Sequence, residues 1–367
     1  MPITTPKSGD PVDAVDTPAL MVDLDLLDRN IDQILNVIRN AGIQWRPHCK
    51  THKSPDLAKL LIKRGAIGVT CAKLSEAAVM VDAGIDDILI ANQITSTSKI
   101  ARLISLRHRA DIAVCVDNFD NALALSAAAK HADLTLGVLI EVDTGTRRAG
   151  VLPGSPVLEL AKRIHALPHL DLAGVMTWEG HTTQIVPEAA KRAAIEEAVG
   201  SLVASAELCR AGGIPMRIVS CGGTGTYLTT CNIPGVTEVQ VGGGILGDVR
   251  YQTKYHVDVF YALTLVSTVT SRPTPKRIIF DSGKKSLSCD AGTPAPIGLP
   301  QLASISFSAE HGKIELEEPS IVPAVGDRIA LVPGYADTTV HLHRVLYGVR
   351  NGRIESVWPL RDDSRLL

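Results

Sequence analysis

The sequence predicts an α/β protein, a parallel (β/α)8 TIM barrel followed by a C-terminal antiparallel β domain. Three observations carry this. Eight short apolar runs recur between residues 43 and 241, alternating with segments of helical spacing. Near-continuous apolar character marks strands covered on both faces, as in parallel sheets. After roughly Tyr255 the texture changes to short β-rich runs separated by Gly, Pro and Asp, the pattern of an antiparallel domain. No G-x-G-x-x-G follows the first run, which counts against a doubly wound open sheet.

In chain order, Ala19–Asp23 reads as a strand and Leu24–Asn40 as a helix. The first barrel run is 43–50 (IQWRPHCK), followed by Ala66–Lys73, Asp87–Ile94, Asp111–Asn118 and Leu134–Asp143. Leu170–Trp178, Met216–Ser220 and Glu238–Val241 complete the eight. Ser54–Arg64, Leu74–Ala83 and Pro187–Ala211 have helical spacing between them. Tyr261–Thr270, Arg277–Phe280, Arg328–Val332 and Arg353–Trp358 are the β-rich runs that follow. The helix 24–40 separates the first strand from the barrel. The expected domains are therefore 24–255 for the barrel and 256–367, joined by 1–23, for the β domain.

With 45% hydrophobic and 21% charged residues over 367 positions, the chain is long enough for two cores. A net charge of −2 with no dense basic block argues against nucleic acid or anionic membrane as partner. The opening residues lack the apolar core of a signal peptide, and no apolar run has transmembrane length. Seven scattered cysteines without a C-x-x-C pair fit free thiols, so a cytoplasmic location is expected.

Barrel enzymes build their sites from strand C-termini. The first run ends on Lys50, whose amine, partly desolvated, can form a Schiff base with an aldehyde. The fifth leads into Asp143-Thr-Gly-Thr-Arg-Arg-Ala-Gly150 and places Arg147 or Arg148 at the mouth. A permanently protonated arginine facing a pyridine nitrogen keeps that nitrogen weakly basic. The sixth ends Trp178-Glu179-Gly180-His181: a flat aromatic, a carboxylate and an imidazole. Cys221-Gly-Gly-Thr-Gly-Thr-Tyr227 and Gly242-Gly243-Gly244 follow the seventh and eighth, where such barrels cradle phosphate on bare amides. Lysine and cradle together point to a phosphorylated aldehyde, pyridoxal phosphate.

RPHCKTHK at 46–53, LSEA at 74–77, Arg148-Ala-Gly-Val and CGGTGTY resemble the alanine-racemase-like (fold type III) pyridoxal phosphate enzymes, within them the D-threonine aldolase and D-serine dehydratase branch. The likeness runs from about Thr17 to Trp358, with the motifs in order. It implies Lys50 as the Schiff-base lysine and Arg148 beside the pyridine ring. It also implies Gly223, Thr224, Gly225 and the Gly243-Gly244 backbone on the phosphate, with Trp178 and Thr226 in the same cofactor site. It places His52 near the cofactor and implies a homodimer acting on a small D-amino acid.

The chain departs from that pattern twice. The family holds a divalent ion with a histidine followed two residues later by Asp or Cys; here Tyr335 stands in the histidine's place and the acid is Asp337. Neutral tyrosine is a poor ligand for Mn²⁺ or Zn²⁺. Read as an extended strand, 335–343 puts His341 and His343 on the face of Asp337, and His311 is a further substitute ligand. At the sixth strand end, Trp178-Glu179 replaces Tyr-His, with Glu179 either a general base or an ion-pair partner.

The reading that follows is a metal-assisted or metal-free lyase cleaving β-hydroxy-D-amino acids, as D-threonine aldolase does. Lys50, His52, Glu179, His181 and Tyr335 are its catalytic candidates, and Mn, Zn or Mg the metal. The alternatives are a D-serine or 3-hydroxyaspartate dehydratase, a metal-independent racemase using Lys50 and Tyr335, and a non-catalytic cofactor-binding protein. Asp281-Ser-Gly-Lys-Lys-Ser286 resembles a family segment without assigned chemistry.

Overall fold

The computed structural model describes residues 6–360; the Met1–Thr5 opening and 361–367, the end of the expected β domain, lie outside the described residues. The chain divides into two compact units, one of residues up to Gln33 with Gly243–Leu360, the other Ile34–Gly242. The expected boundaries differ: 243–255 fall with the β-rich unit, and the first division lies inside a helix.

Strand β1 (Ala19–Asp23) runs directly into α1 (Leu24–Ala41). Asp23 Oδ1 accepts from the amides of Asp25 and Leu26 at 2.9 and 3.0 Å, so the residue closing the strand also caps the helix. Leu27, Ile31, Ile34, Leu35 and Ile38 recur at helical spacing and are buried.

The Ile34–Gly242 unit holds eight parallel strands: β2 (Gln44–Trp45), β3 (Val69–Cys71), β4 (Asp87–Gln93), β5 (Asp111–Val116), β6 (Leu136–Glu141), β7 (Leu170–Met176), β8 (Ile218–Cys221) and β9 (Glu238–Val239). Between them lie α2 (Pro55–Arg64), α3 (Leu74–Asp82), α4 (Thr97–Arg107), α5 (Phe119–His131), α6 (Ser155–His165), α7 (Glu188–Ala211) and α8 (Tyr227–Thr230). The strand order is β2-β9-β8-β7-β6-β5-β4-β3. The two ends meet at a parallel bridge between His48 and Thr70, where Cys49 N–H donates to Thr70 O (2.8 Å) and Thr70 N–H to Pro47 O (2.9 Å). The barrel thus closes through the residues just before Lys50. The first strand is shorter than the expected run because Pro47 has no amide for the ladder; Lys50 stands in the turn beyond it. Ser54 ends that turn as N-cap of α2, its Oγ accepting from Leu57 N–H at 3.3 Å with Pro55 in the first turn. Leu89, Cys115, Leu139, Ala173 and Met176 pack together as one buried cluster, and truncating a buried leucine such as Leu139 costs about 2–5 kcal/mol.

The other unit adds α9 (Val249–Thr253), β10 (Leu263–Thr274), β11 (Arg277–Phe280), β12 (Ala295–Ile297), β13 (Leu302–Phe307), β14 (Gly312–Leu316), β15 (Arg328–Val332), α10 (Ala336–Val340), β16 (Val345–Arg350) and β17 (Arg353–Pro359). The sheet runs β13-β14-β11-β10-β1-β16-β17, with β15 pairing β10 and β12. Only the β1–β16 pair is parallel; the rest are antiparallel, and β10 buries alternate residues at its start. The segment 335–343, expected as a strand, contains helix α10, so the one-face argument for Tyr335, Asp337, His341 and His343 does not hold.

Candidate active site

Within the barrel unit, Lys50, Arg148, Trp178 and the loop 222–226 all follow the C-terminal ends of strands of one parallel sheet. Lys50 is partly buried, and its amide donates to His48 Nδ1 at 3.3 Å. The neighbouring Cys49 is fully buried. A hydrogen bond from the Cys71 thiol holds its pKa low, at about 6, and raises Cys71 in return.

Of the two arginines, Arg148 is the anchored one: its Nη2 donates to Glu141 Oε1 at 3.2 Å, and Gln93 Nε2 donates to Glu141 Oε2 at 2.6 Å. Glu141 ends β6 and Gln93 ends β4. Sequence reasoning passed over both, although a buried carboxylate closing an apolar strand is a signal of this kind. Arg147 is exposed, with its amide on Asp143 Oδ1.

Glu179 is not a mouth-facing base. It is fully buried and accepts from Thr226 Oγ1 (2.7 Å), Thr230 Oγ1 (2.8 Å) and Gly222 N–H (3.2 Å). Thr226 Oγ1 in turn accepts from Gly223 N–H at 3.1 Å. The carboxylate therefore sets the shape of the glycine loop, and neither the Gly223 amide nor the Thr226 hydroxyl is turned outward as expected. No arginine among the described residues pairs with Glu179 either. Trp178 lies against the same loop: a Cβ at Gly223 would come within 2.5 Å of its Cζ3, so glycine is required there. His181 is exposed, with Nδ1 at 3.3 Å from Thr146 Oγ1.

Among the described residues, two donors at this end of the sheet lack partners. His52 is fully buried, and its Nδ1 accepts from Ser54 N–H at 3.1 Å, which leaves the proton on Nε2; that nitrogen has no partner. Gly225 is buried, and its amide donates to no group among the described residues. Orphaned buried donors are costly. With Lys50 and Arg148 beside them, they fit an anionic cofactor bearing an aldehyde, so the residues present fit pyridoxal phosphate. The expected Gly243 and Gly244 begin the other unit as a buried short turn. Gly242 belongs to the barrel, where a Cβ would strike the His48 backbone.

In the β unit, Tyr335 precedes α10, and its hydroxyl donates to Asp337 Oδ2 at 2.8 Å. Burial, then the Asp337 charge, pushes the Tyr335 pKa well above the usual tyrosine range. Its ring meets Tyr251 edge-on at 6.5 Å, and the Arg250 guanidinium lies 5.3 Å from its centroid. Asp248, fully buried, accepts from Ala336 N–H and Tyr251 N–H, both at 2.8 Å. Burial pushes its pKa up to about 7 against those two bonds. A cavity of about 340 Å³ borders Asp337, Ser288, Lys284 and His341, so the 281–286 segment forms part of a wall.

The residues do not fit the expected metal. His343 Nε2 lies 2.7 Å from Ser286 O; a carbonyl only accepts, so the hydrogen sits on Nε2 and the lone pair on Nδ1. His311 is exposed in the turn between β13 and β14. No group of three or more His, Cys, Asp or Glu able to hold an ion occurs among the described residues. No helix among them is long and apolar enough to cross a membrane.

Comparison with known proteins gives a family model for the alanine racemase N-terminal domain over residues 22–249, and one described as a serine dehydratase domain over 262–349. A 3-hydroxy-D-aspartate aldolase of Paracoccus denitrificans (strain Pd 1222) is 34% identical over 356 residues, covering 94% of this chain and 92% of its own. A D-threonine aldolase of an Arthrobacter species is 34% identical over 357 residues, 96% and 94% of the two chains. The crystal structure of D-threonine aldolase from Filomicrobium marinum superimposes with a TM-score of 0.94 at 32% identity, covering 98% of each chain.

Proposed function

The chain belongs to the alanine racemase N-terminal-domain family, and from that premise we propose that it is an aldolase cleaving β-hydroxy-D-amino acids to glycine and an aldehyde. The family implies pyridoxal phosphate. One observation carries the reading: a chain similar over nearly its whole length to two D-amino-acid aldolases keeps Lys50, Arg148 and the glycine loop on one end of a single parallel sheet.

Lys50 would hold the cofactor aldehyde, the 222–226 loop its phosphate, and Arg148 its ring nitrogen. When bound, the cofactor supplies the electron sink for the pair released from Cα–Cβ. Gln93 holds Glu141, which anchors Arg148; its guanidinium, a donor that keeps its protons and accepts none, would leave a facing ring nitrogen unprotonated. Glu179 holds the loop in shape before any ligand arrives, so an anion would meet the Gly225 amide already in place. The His52 Nε2–H offers a further donor on the Lys50 loop. The family likeness also supports a homodimer, checked by light scattering.

The test is proton NMR of the cofactor-loaded protein with D-threonine and with D-threo-3-hydroxyaspartate. Glycine appearing together with an aldehyde supports the reading. A 2-oxo acid instead makes it a dehydratase, and α-deuteration alone in D₂O a racemase.

A further inference from the structure

Resting on the reading that Lys50 holds the cofactor aldehyde, we infer that Glu76 and Lys53 are its positioning pair: they clamp the turn that carries Lys50 and reserve the aldehyde for that lysine. Lys50 and Lys53 are the two lysines of RPHCKTHK, and Glu76 is the acid of LSEA. The Glu76 carboxylate is buried, and its two oxygens are divided. Oε2 accepts from the amides of Ala72 (2.6 Å) and Lys73 (3.3 Å), the latter being the reach-back half of a capping box for α3. Oε1 accepts from Lys53 Nζ, the two side chains being 2% and 12% exposed. One carboxylate thus joins the loop after β3 to the turn after β2.

The turn is fixed at both ends. Before Lys50, the Cys49 amide donates to Thr70 O on β3 at 2.8 Å. After it, the Lys53 amide donates to Cys49 O at 2.8 Å, and Lys53 has a φ of 50°. Residues with a side chain rarely adopt this left-handed conformation, and it persists where the surroundings impose it. Here the bond to Cys49 and the ion pair with Glu76 impose it. Stability alone does not call for such a pair, since apolar side chains of like volume serve a buried site as well. The chemistry of the turn does. Lys50 joins the aldehyde through its nitrogen lone pair: a C=N bond forms, and the carbonyl oxygen leaves as water with the two amine hydrogens. Nothing is oxidised or reduced. An ammonium paired with a carboxylate has no lone pair to offer, so Lys53 stays out of that reaction.

The experiment uses the full chain, freed of cofactor and reloaded with pyridoxal phosphate. Its readouts are the rise of the lysine-bound absorption band, borohydride reduction followed by peptide mass mapping, and the melting temperature. In the wild-type chain the reduced adduct is expected on Lys50 and not on Lys53. Glu76→Gln combined with Lys53→Met removes both charges and keeps the bulk of each side chain. Its melting temperature should hold while loading slows by about 10²-fold, the effect of a small misplacement of the reacting group. Lys53→Arg, which keeps the ion pair, should load at near the wild-type rate. A reduced adduct on Lys53 of the wild-type chain overturns the inference. So does a double variant that loads at the wild-type rate, or slow loading that tracks a lowered melting temperature in both variants. No adduct on any lysine sinks the cofactor reading itself, a result distinct from the others.

Discussion

Glu179 in the barrel unit and Asp248 in the β unit are both fully buried carboxylates held by hydrogen bonds, yet they are held differently. Glu179 accepts from two threonine hydroxyls and one amide. Asp248 accepts from two amides, with the Asp337 charge nearby. Hydroxyl donors rotate to meet a carboxylate, whereas amides are fixed by their backbone. Glu179 thus organises a loop by drawing side chains and an amide to itself. Asp248 instead joins two backbone segments and bears a burial cost that its two bonds do not offset, which raises its pKa.

The strongest way to break this comparison is Glu179→Ala, which leaves three buried donors without an acceptor. A loss of about 3 kcal/mol or more is expected in denaturant unfolding, with weaker cofactor binding seen by absorbance titration. Asp248→Ala orphans two amides and should cost about 2 kcal/mol, with faster hydrogen exchange at Ala336 as α10 frays. The pH dependence comes next. Asp248 binds its proton more tightly folded (about 7 against an ordinary 3.8), so its contribution is full below about pH 4. It is lost as pH rises through about 7, because the native state then holds more protons than the unfolded one. Relative to Asp248→Asn, wild-type stability should fall by at most about 1.4 kcal/mol per pH unit across that window; a flat difference would contradict the assignment. Thr230→Val, removing one of three donors to Glu179, should cost about 1 kcal/mol and leave the Asp248 slope unchanged.

The barrel strands were legible because parallel strands buried on both faces are written as apolar runs. Lys50, Arg148 and the glycine loop were legible because each follows such a run. The network around Glu179 was not, since Thr226 and Thr230 lie 47 and 51 residues further on and only folding brings them to it. Helix α10 was misread for a similar reason. Thr338-Thr339-Val340 has the branched side chains of a strand, while the acceptor for the Ala336 amide is Asp248, 88 residues earlier. A cap supplied from that distance leaves no local signature of the S/T-x-x-E kind. The Tyr335 departure was visible in sequence; its hydrogen bond to Asp337 was not.

Strand β1 pairs with residues 263–266 on one side and 346–349 on the other. During synthesis it leaves the ribosome before the other strands described here and waits for partners more than two hundred residues away. Its Ala19, Leu20, Met21 and Val22 are buried in the finished sheet and so remain an uncovered apolar edge until then. The Ile34–Gly242 barrel, whose strands neighbour one another in sequence order, can assemble in the interval. A chain stopped anywhere before β16 would retain that edge permanently, which makes premature termination an aggregation hazard more than a simple loss of activity.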